Sequence, residues 1–469
     1  MGKTAAFVLL LLATSTAAAN IADIVDRHTD QGVQLAQNIW ELAELGYQEQ
    51  RSSKLLADAL DKAGFQIEAG VADIPTAFVA TYGSGEPTIG ILAEFDALPG
   101  LSQTATPERQ ARVDGGAGHA CGHHLFGAAS TTAGIALAEW LEETGTKGTI
   151  KVFGTPAEEG GSGKVYMARA GLFEDVDIVL HWHPSSVNSA APYSTTSNKS
   201  GRFTFRGQAA HAASAPDKGR SALDGVEAMN FMVNLMREHV PQTSRIHYVI
   251  THGGEAPNIV PEEAQVYYYV RHPQAETVKV LFERVVQAAN AAAMGTDTKV
   301  DVEVMHGNYP LLPNHTLAKL VYKNMRDLGG ISYTPAENKF AEELRKTLIN
   351  PSQELGSQER IGPFVLRQNM GSTDVGDVSW LVPTAGFSTA TWVPGTAAHS
   401  WQAVAAGGMS IGHKGMKLAA HLLAKTGMDL YQDPETIKAA KAELVESQGP
   451  QFDYQALLGD RDPPLDYRN

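Results

Sequence analysis

The chain has 469 residues, with 37 Lys and Arg against 52 Asp and Glu for a formal charge of −15, and it carries a single Cys. That length suits a large core and roughly two to three domains, while the acidic balance excludes a broad nucleic-acid footprint, which needs clustered Lys and Arg. One Cys excludes an internal disulfide and any thiolate-rich zinc site of the finger type.

At the amino end, Met1-Gly2-Lys3 precedes an apolar run and small residues through Ala19. A short cationic start, an apolar stretch and an Ala-x-Ala end predict a signal peptide over 1–19, hence a periplasmic or secreted protein. Thr14, Ser15 and Thr16 interrupt the run short of the ~20 apolar residues a membrane span needs, so no membrane attachment is expected after cleavage. Helical spacing then predicts helices over 21–47 and 52–62. Short β-rich runs at 88–94, 149–154, 177–182 and 386–391 alternate with helical stretches such as 125–143 and 409–425. That alternation predicts an α/β domain with a largely parallel sheet flanked by helices.

The middle reads differently. Strand 202–206, helix 221–238, strands 247–251 and 264–271, helix 276–293 and strand 299–305 give the order βαββαβ, the ferredoxin-like arrangement. The expected organisation is a first catalytic part over 20–199, an inserted lid or dimerisation domain over 200–309 and a second catalytic part over 310–469. Residues 337–369 read as a helix plus a long loop, and 438–446 as a helix in a polar tail.

Chemistry concentrates beyond the strand ends, where open parallel sheets place ligands. Ala93-Glu94-Phe95-Asp96-Ala97-Leu98-Pro99-Gly100 sets two carboxylates after a strand; alone, such acids read as solvated caps. Gly118-His119-Ala120-Cys121-Gly122-His123-His124 packs three His and the only Cys into six residues, and thiolate with imidazole suits zinc or a similar ion. Thr155-Pro156-Ala157-Glu158-Glu159-Gly160 follows another strand; adjacent side chains of extended backbone point opposite ways, so one Glu can bind metal while the other faces a substrate water. A phosphate loop is a poor rival there, with two acids and no Walker lysine. His181 and His183 share one face of the next strand, and His399 follows the last. Together these groups can hold two ions with an activated water between them.

At these residues the chain resembles the zinc aminoacylase/carboxypeptidase family of metallopeptidases, in the amidohydrolase branch that includes the aminobenzoyl-glutamate hydrolases. The resemblance spans about 21–430 and also covers Gly207–Asp224 with Ala210-His211-Ala212, Pro257-Asn258-Ile259-Val260-Pro261, Gly371–Trp380 and Gly395–Trp401. It implies two divalent ions, zinc or manganese with cobalt as a further option. Their ligands would be Cys121, His123, Glu159, His183 and His399, with His181 as an alternative to His183. Glu158 would be the general base and Asp96 an acid supporting a ligand. His211, by itself a polar turn residue, would polarise the scissile carbonyl or bind the oxyanion, often across a dimer. Asn258 and Arg271 would hold substrate, and Ser372, Thr373 and Asp374 would line the pocket. The implied reaction splits a small amide, an N-acyl (including N-aminobenzoyl) amino acid or a dipeptide, in a homodimer joined through the inserted domain. Two rivals stand beside it: Cys121 as the nucleophile of an amidase, and an inactive scaffold serving as a periplasmic binding protein.

Overall fold

Helix α1 (Ile21–Leu42) opens the described part of the chain, with the Asn20 side chain accepting a hydrogen bond from Ala22 N at 3.1 Å, and it ends where Ala43 turns left-handed. Side-chain capping of this kind satisfies amide groups that the first helical turn leaves free. The computed structural model describes residues 20–468, so the expected signal over 1–19 lies outside the described residues. After α2 (Gln50–Lys62) come β1 (Gln66–Ala69), β2 (Phe78–Ser84), β3 (Thr88–Ala93), α3 (His123–Thr144), β4 (Gly148–Gly154), α4 (Gly163–Arg169), β5 (Ile178–Ser185) and the short β6 (Tyr193–Ser194). The βαββαβ unit follows as β7 (Ser197–Arg206), α5 (Ala222–Met236), β8 (Arg245–His252), β9 (Glu263–His272), α6 (Ala275–Gly295) and β10 (Lys299–Asn308). The chain then returns through α7 (His315–Leu328), α8 (Pro335–Arg345), β11 (Arg367–Gln368), α9 (Val375–Ser379), β12 (Thr384–Ala390), α10 (Trp401–Gly407), α11 (Ser410–Gln432) and α12 (Pro434–Gln448).

The first sheet has six strands in the order β1-β2-β4-β3-β5-β12. β4, β3, β5 and β12 run parallel, and β2 and β1 extend the sheet antiparallel. Strands buried on both faces need continuous apolar runs, and Ile89, Ile91, Leu92, Ile178, Val179 and Leu180 supply them. Helices α1, α3 and α11 pack side by side, with α3 against β3, β4 and β5. The second sheet, β10-β7-β9-β8, is antiparallel throughout and encloses its own core of Phe203, Phe205, Val226, Met229, Val266, Tyr268, Val278, Phe282 and Val285. The expected α/β class with an inserted βαββαβ unit therefore holds. Among the described residues no helix is long and apolar enough to cross a membrane.

Candidate metal centre

The parallel strands all deliver their chemistry at one edge of the sheet. Glu94 and Asp96 follow β3, Glu158 and Glu159 follow β4, His183 stands near the end of β5, and His399 follows β12. Cys121 and His123 open α3 on the same edge. This close assembly depends on Gly122, at φ 80°, where an added Cβ would lie 2.6 Å from Pro184 Cβ. Only glycine lets the start of α3 pass so near β5. Non-glycine left-handed residues also cluster here, with Ala157 at φ 56°, Ser162 at φ 64° and His399 at φ 59°. Such conformations persist where the surroundings hold them, and the surroundings here are the site itself.

Hydrogen bonds orient the His123 and His183 rings. The His123 Nδ1–H donates to Asp96 Oδ1 at 2.7 Å, and the His183 Nδ1–H donates to Pro184 O at 2.7 Å. Both rings thus turn Nε2 inward, and His183 Nε2 lies 3.4 Å from Cys121 Sγ. The second oxygen of Asp96 accepts the Glu159 N–H at 2.9 Å. The His399 N–H donates to Ala120 O at 2.9 Å, which ties the β12 loop to the Cys121 segment.

The possible ligand atoms fall into overlapping groups, each with all its members within 4.8 Å of one another. Cys121, His123 and His183 form one; Cys121, Glu159 and His399 form another; His123, Glu158 and Glu159 form a third. The first two share the thiol. His123 Nε2 approaches Glu94 Oε2 at 3.1 Å, and His399 Nε2 approaches Glu159 Oε1 at 3.1 Å. Yet His123 Nε2, Glu94 Oε2 and Glu159 Oε1 are buried without a hydrogen bond. Buried polar atoms normally find partners. Donors converging on shared space fit a cation, and mixed sulfur, nitrogen and oxygen donors fit zinc or a related divalent ion.

Burial works to lower His123, but Cys121, Asp96 and Glu94 outweigh it and hold the ring well above its ordinary value, a balance that a bound cation reverses. Burial, reinforced by Glu94, Glu159 and Asp374, pushes Glu158 well above the usual carboxylate range. Burial and then the charge of Glu159 raise the Cys121 thiol; a bound cation reverses that balance and favours thiolate. Burial lowers His183 to about 4 and His181 to about 3, which keeps both neutral near pH 7, the form that ligates. His181 lines the cavity but belongs to none of the three groups, its ring lying against Gly386 of β12. Of the two histidines, His183 is the one beside Cys121.

A cavity of about 630 Å³ opens over Cys121, Glu158, Glu159, His183 and His399, with Arg367 and Ser372 in its wall. Arg271, on β9, reaches that wall by donating from Nη1 to Ser372 Oγ at 3.2 Å, with Tyr269 under its guanidinium. His211 and Asn258 lie elsewhere. They are exposed neighbours on the inserted unit, joined where Ala212 N–H donates to Asn258 O at 3.0 Å, and neither lines the cavity. Asp374, expected in the pocket wall, sits behind it. Its carboxylate accepts from Lys164 Nζ at 2.7 Å and Lys164 N at 2.9 Å, so it has no oxygen turned to a substrate.

Three participants escape sequence reasoning. Lys164 is fully buried and also pairs with Glu94 Oε1 at 2.7 Å; its signal is a lone cation opening an otherwise apolar run after Gly163. Buried Glu49 accepts the Ala157 N–H at 2.8 Å and props the turn that carries Glu158. Arg367, a cation in the cavity wall with no ion pair among the described residues, carries no local motif.

Comparison with known proteins follows the same lines. Residues 193–297 match the peptidase dimerisation domain family. The chain is 37% identical over 450 residues to a p-aminobenzoyl-glutamate hydrolase polypeptide of Escherichia coli (strain K12), covering 90% of this chain and 94% of that protein. It is 30% identical over 439 residues to Xaa-Arg dipeptidase of Mus musculus, covering 90% and 91%. Among solved structures, the Bacillus subtilis YXEP protein, a dinuclear metal binding peptidase from the M20 family, superposes with a TM-score of 0.57 at 18% identity, covering 87% of this chain and 99% of that one. That likeness speaks for the fold.

Proposed function

Because this chain belongs to the M20 family of metallopeptidases and is an amidohydrolase, we propose that it uses two divalent ions to split an N-acyl amino acid, with N-aminobenzoyl-glutamate as the leading candidate. The two ligand groups that share Cys121 carry this reading. Cys121, His123 and His183 would hold one ion, and Cys121, Glu159 and His399 the other, zinc or manganese by donor type. Bound ions supply Lewis acidity at the scissile carbonyl. The chain supplies the rest. Glu158, its carboxylate kept basic by burial and neighbouring acids, takes the proton of the attacking water and returns it to the leaving nitrogen. Asp96 fixes the His123 ring and the Glu159 backbone together. Arg271 and Arg367 give the cavity wall positive charge, which favours an anionic leaving group such as glutamate over the arginine of an Xaa-Arg dipeptide. His211 lies outside the cavity of its own chain, so it would serve the cavity of a second copy, stabilising the oxyanion across a homodimer. With the signal expected over 1–19, the activity would belong to the periplasm or the space outside the cell.

Replacing Glu158 by Gln should lower kcat by about 100-fold or more while metal content stays near wild type. Chelation should abolish turnover of aminobenzoyl-glutamate, and Zn²⁺, Mn²⁺ or Co²⁺ should restore it. A Glu158→Gln enzyme at full activity would sink the assignment. Indifference to chelator would favour Cys121 as a nucleophile instead.

A further inference from the structure

The segment after α12, residues 449–468, is strapped across the molecule and finishes on the turn that carries the two catalytic carboxylates. Phe452 packs on Trp380 with ring centroids 4.8 Å apart, Tyr454 donates to Asp377 at 2.8 Å, and Leu457 and Leu458 are buried. Arg169 of α4 donates to Gly459 O at 2.7 Å and Arg461 O at 2.9 Å. Arg461 in turn donates to Glu303 Oε1 at 3.0 Å and to Val304 O, both on β10 of the inserted unit. The strap therefore grips both domains before Pro463 and Pro464. It then delivers Tyr467 and Arg468 to a single atom: the Glu159 carbonyl oxygen accepts Tyr467 Oη–H at 3.1 Å and Arg468 Nη2–H at 2.5 Å.

That carbonyl belongs to a turn in need of outside support. Ala157 and Ser162 bracket it in left-handed conformations that disfavour side chains. Its other fastenings include the Glu159 N–H on Asp96, the Ala157 N–H on Glu49, Tyr47 Oη–H donating to Gly161 O at 2.5 Å, and the Ser162 hydroxyl paired with His306 Nδ1. The Tyr467 ring stands edge-on to Tyr47, with centroids 5.6 Å apart at 74°. Gly46 makes room for it, since a Cβ there would lie 2.3 Å from Tyr467 Oη. Asp96 thus holds the peptide before Glu159 and the strap holds the peptide after it. With both peptides fixed, Glu159 faces the ligand group and Glu158 the substrate space.

We propose that Tyr467 and Arg468 are positioning residues, which set the aim of Glu158 and Glu159 by clamping the Glu159 carbonyl. The proposal rests on the roles given to those two glutamates above. Supporting contacts around metal ligands are typically worth about 10–100-fold in affinity or rate.

The test uses the full chain with Tyr467→Phe and Arg468→Gln combined, beside Arg468→Lys, which keeps a cationic donor. The double variant should lose about 10-fold in kcat at saturating metal with KM within about two-fold. Co²⁺ titration of the metal-free protein should show half-saturation raised about 10-fold. The unfolding midpoint of the metal-free protein should move by no more than about 3 °C, because the tyrosine ring stays in place. Arg468→Lys should recover most of both losses. Unchanged kcat and Co²⁺ half-saturation would overturn the proposal, as would losses that track a falling unfolding midpoint and resist lysine rescue. Glu158→Gln run alongside separates the failures: if it abolishes turnover and the strap variants do not, only the strap is wrong.

Discussion

Lys164 is a buried ammonium whose two partners come from distant parts of the chain, Glu94 after β3 and Asp374 before α9, each at 2.7 Å. A buried ion group of this kind adds little over a well-packed apolar one, but removing the central cation leaves two carboxylates in a low-dielectric interior. Lys164→Met should therefore lower unfolding free energy by about 3–5 kcal/mol in denaturant titration; a loss below about 1 kcal/mol would mean that water or protonation already screens the pair. The same residue shows what sequence conveys about a site. Cys121 and its neighbouring histidines are legible because candidate ligands crowd into one turn, and the pair Glu158-Glu159 because the motif is contiguous. Lys164 and Glu49 are not, because each acts through partners that only the folded sheet brings near, and Arg367 is not, because only the fold carries it to the cavity wall. Asp374 falls in the expected neighbourhood but faces a different neighbour, since a motif fixes nearness in the chain and not the side to which a carboxylate turns.

At the scale of elements, α8 and α11 are coupled through one carboxylate. Glu337 closes the capping box of α8: its backbone N–H donates to Thr334 Oγ1 at 3.3 Å and its own Oε2 accepts the Thr334 N–H at 2.7 Å. It also accepts Ser410 Oγ–H and Lys414 Nζ–H from α11, both at 2.6 Å. Burial opposes ionisation, yet these bonds, led by Lys414, draw its pKa down to about 2 from an ordinary 4.5. A depressed folded-state value means the stabilisation is complete above the unfolded pKa and is lost as pH falls from about 4.5 through about 2. Glu337→Gln should cost about 2 kcal/mol at pH 7, and the gap from wild type should hold down to the unfolded pKa of about 4.5 and narrow when unfolding is repeated midway between that value and the folded pKa of about 2. A gap that stays constant with pH would show that packing, not charge, is what the substitution removes. A helix such as α1 is readable from periodicity because a long apolar stripe faces the core, whereas α3 is buried nearly all round and shows no such stripe. The strands β1 and β2 escape notice: β1 is polar and mostly exposed at a sheet edge, and β2 is buried only over its first half. An element that buries little leaves little hydrophobic pattern.

For the whole molecule, the question is what the inserted unit completes. Its edge strand β8 has no neighbour beyond β9 among the described residues, and it exposes Tyr248, Val249 and Ile250. Beside it on α5, Phe231 is 66% and Leu235 57% exposed, and Asn234 Nδ2–H reaches Tyr248 Oη at 3.4 Å, so helix and edge form one surface. An open apolar edge invites pairing with a second strand, and a two-fold axis through it would join two copies by the same patch. The chain should sediment as a dimer, and Leu235→Asp with Val249→Asp should shift it to monomer. Because His211 and Asn258 stand outside the cavity of their own chain, that monomer should also lose turnover while keeping its metal. Mixing decides whether His211 acts across the dimer. When a Glu158→Gln chain pairs with a His211→Asn chain, one of the two sites receives an intact Glu158 and an intact His211. Equal mixing after dissociation should then restore about one quarter of wild-type activity from two nearly inactive parents. Parents that stay silent when mixed, with heterodimers shown to form, would place His211 in its own chain's site or outside the reaction altogether.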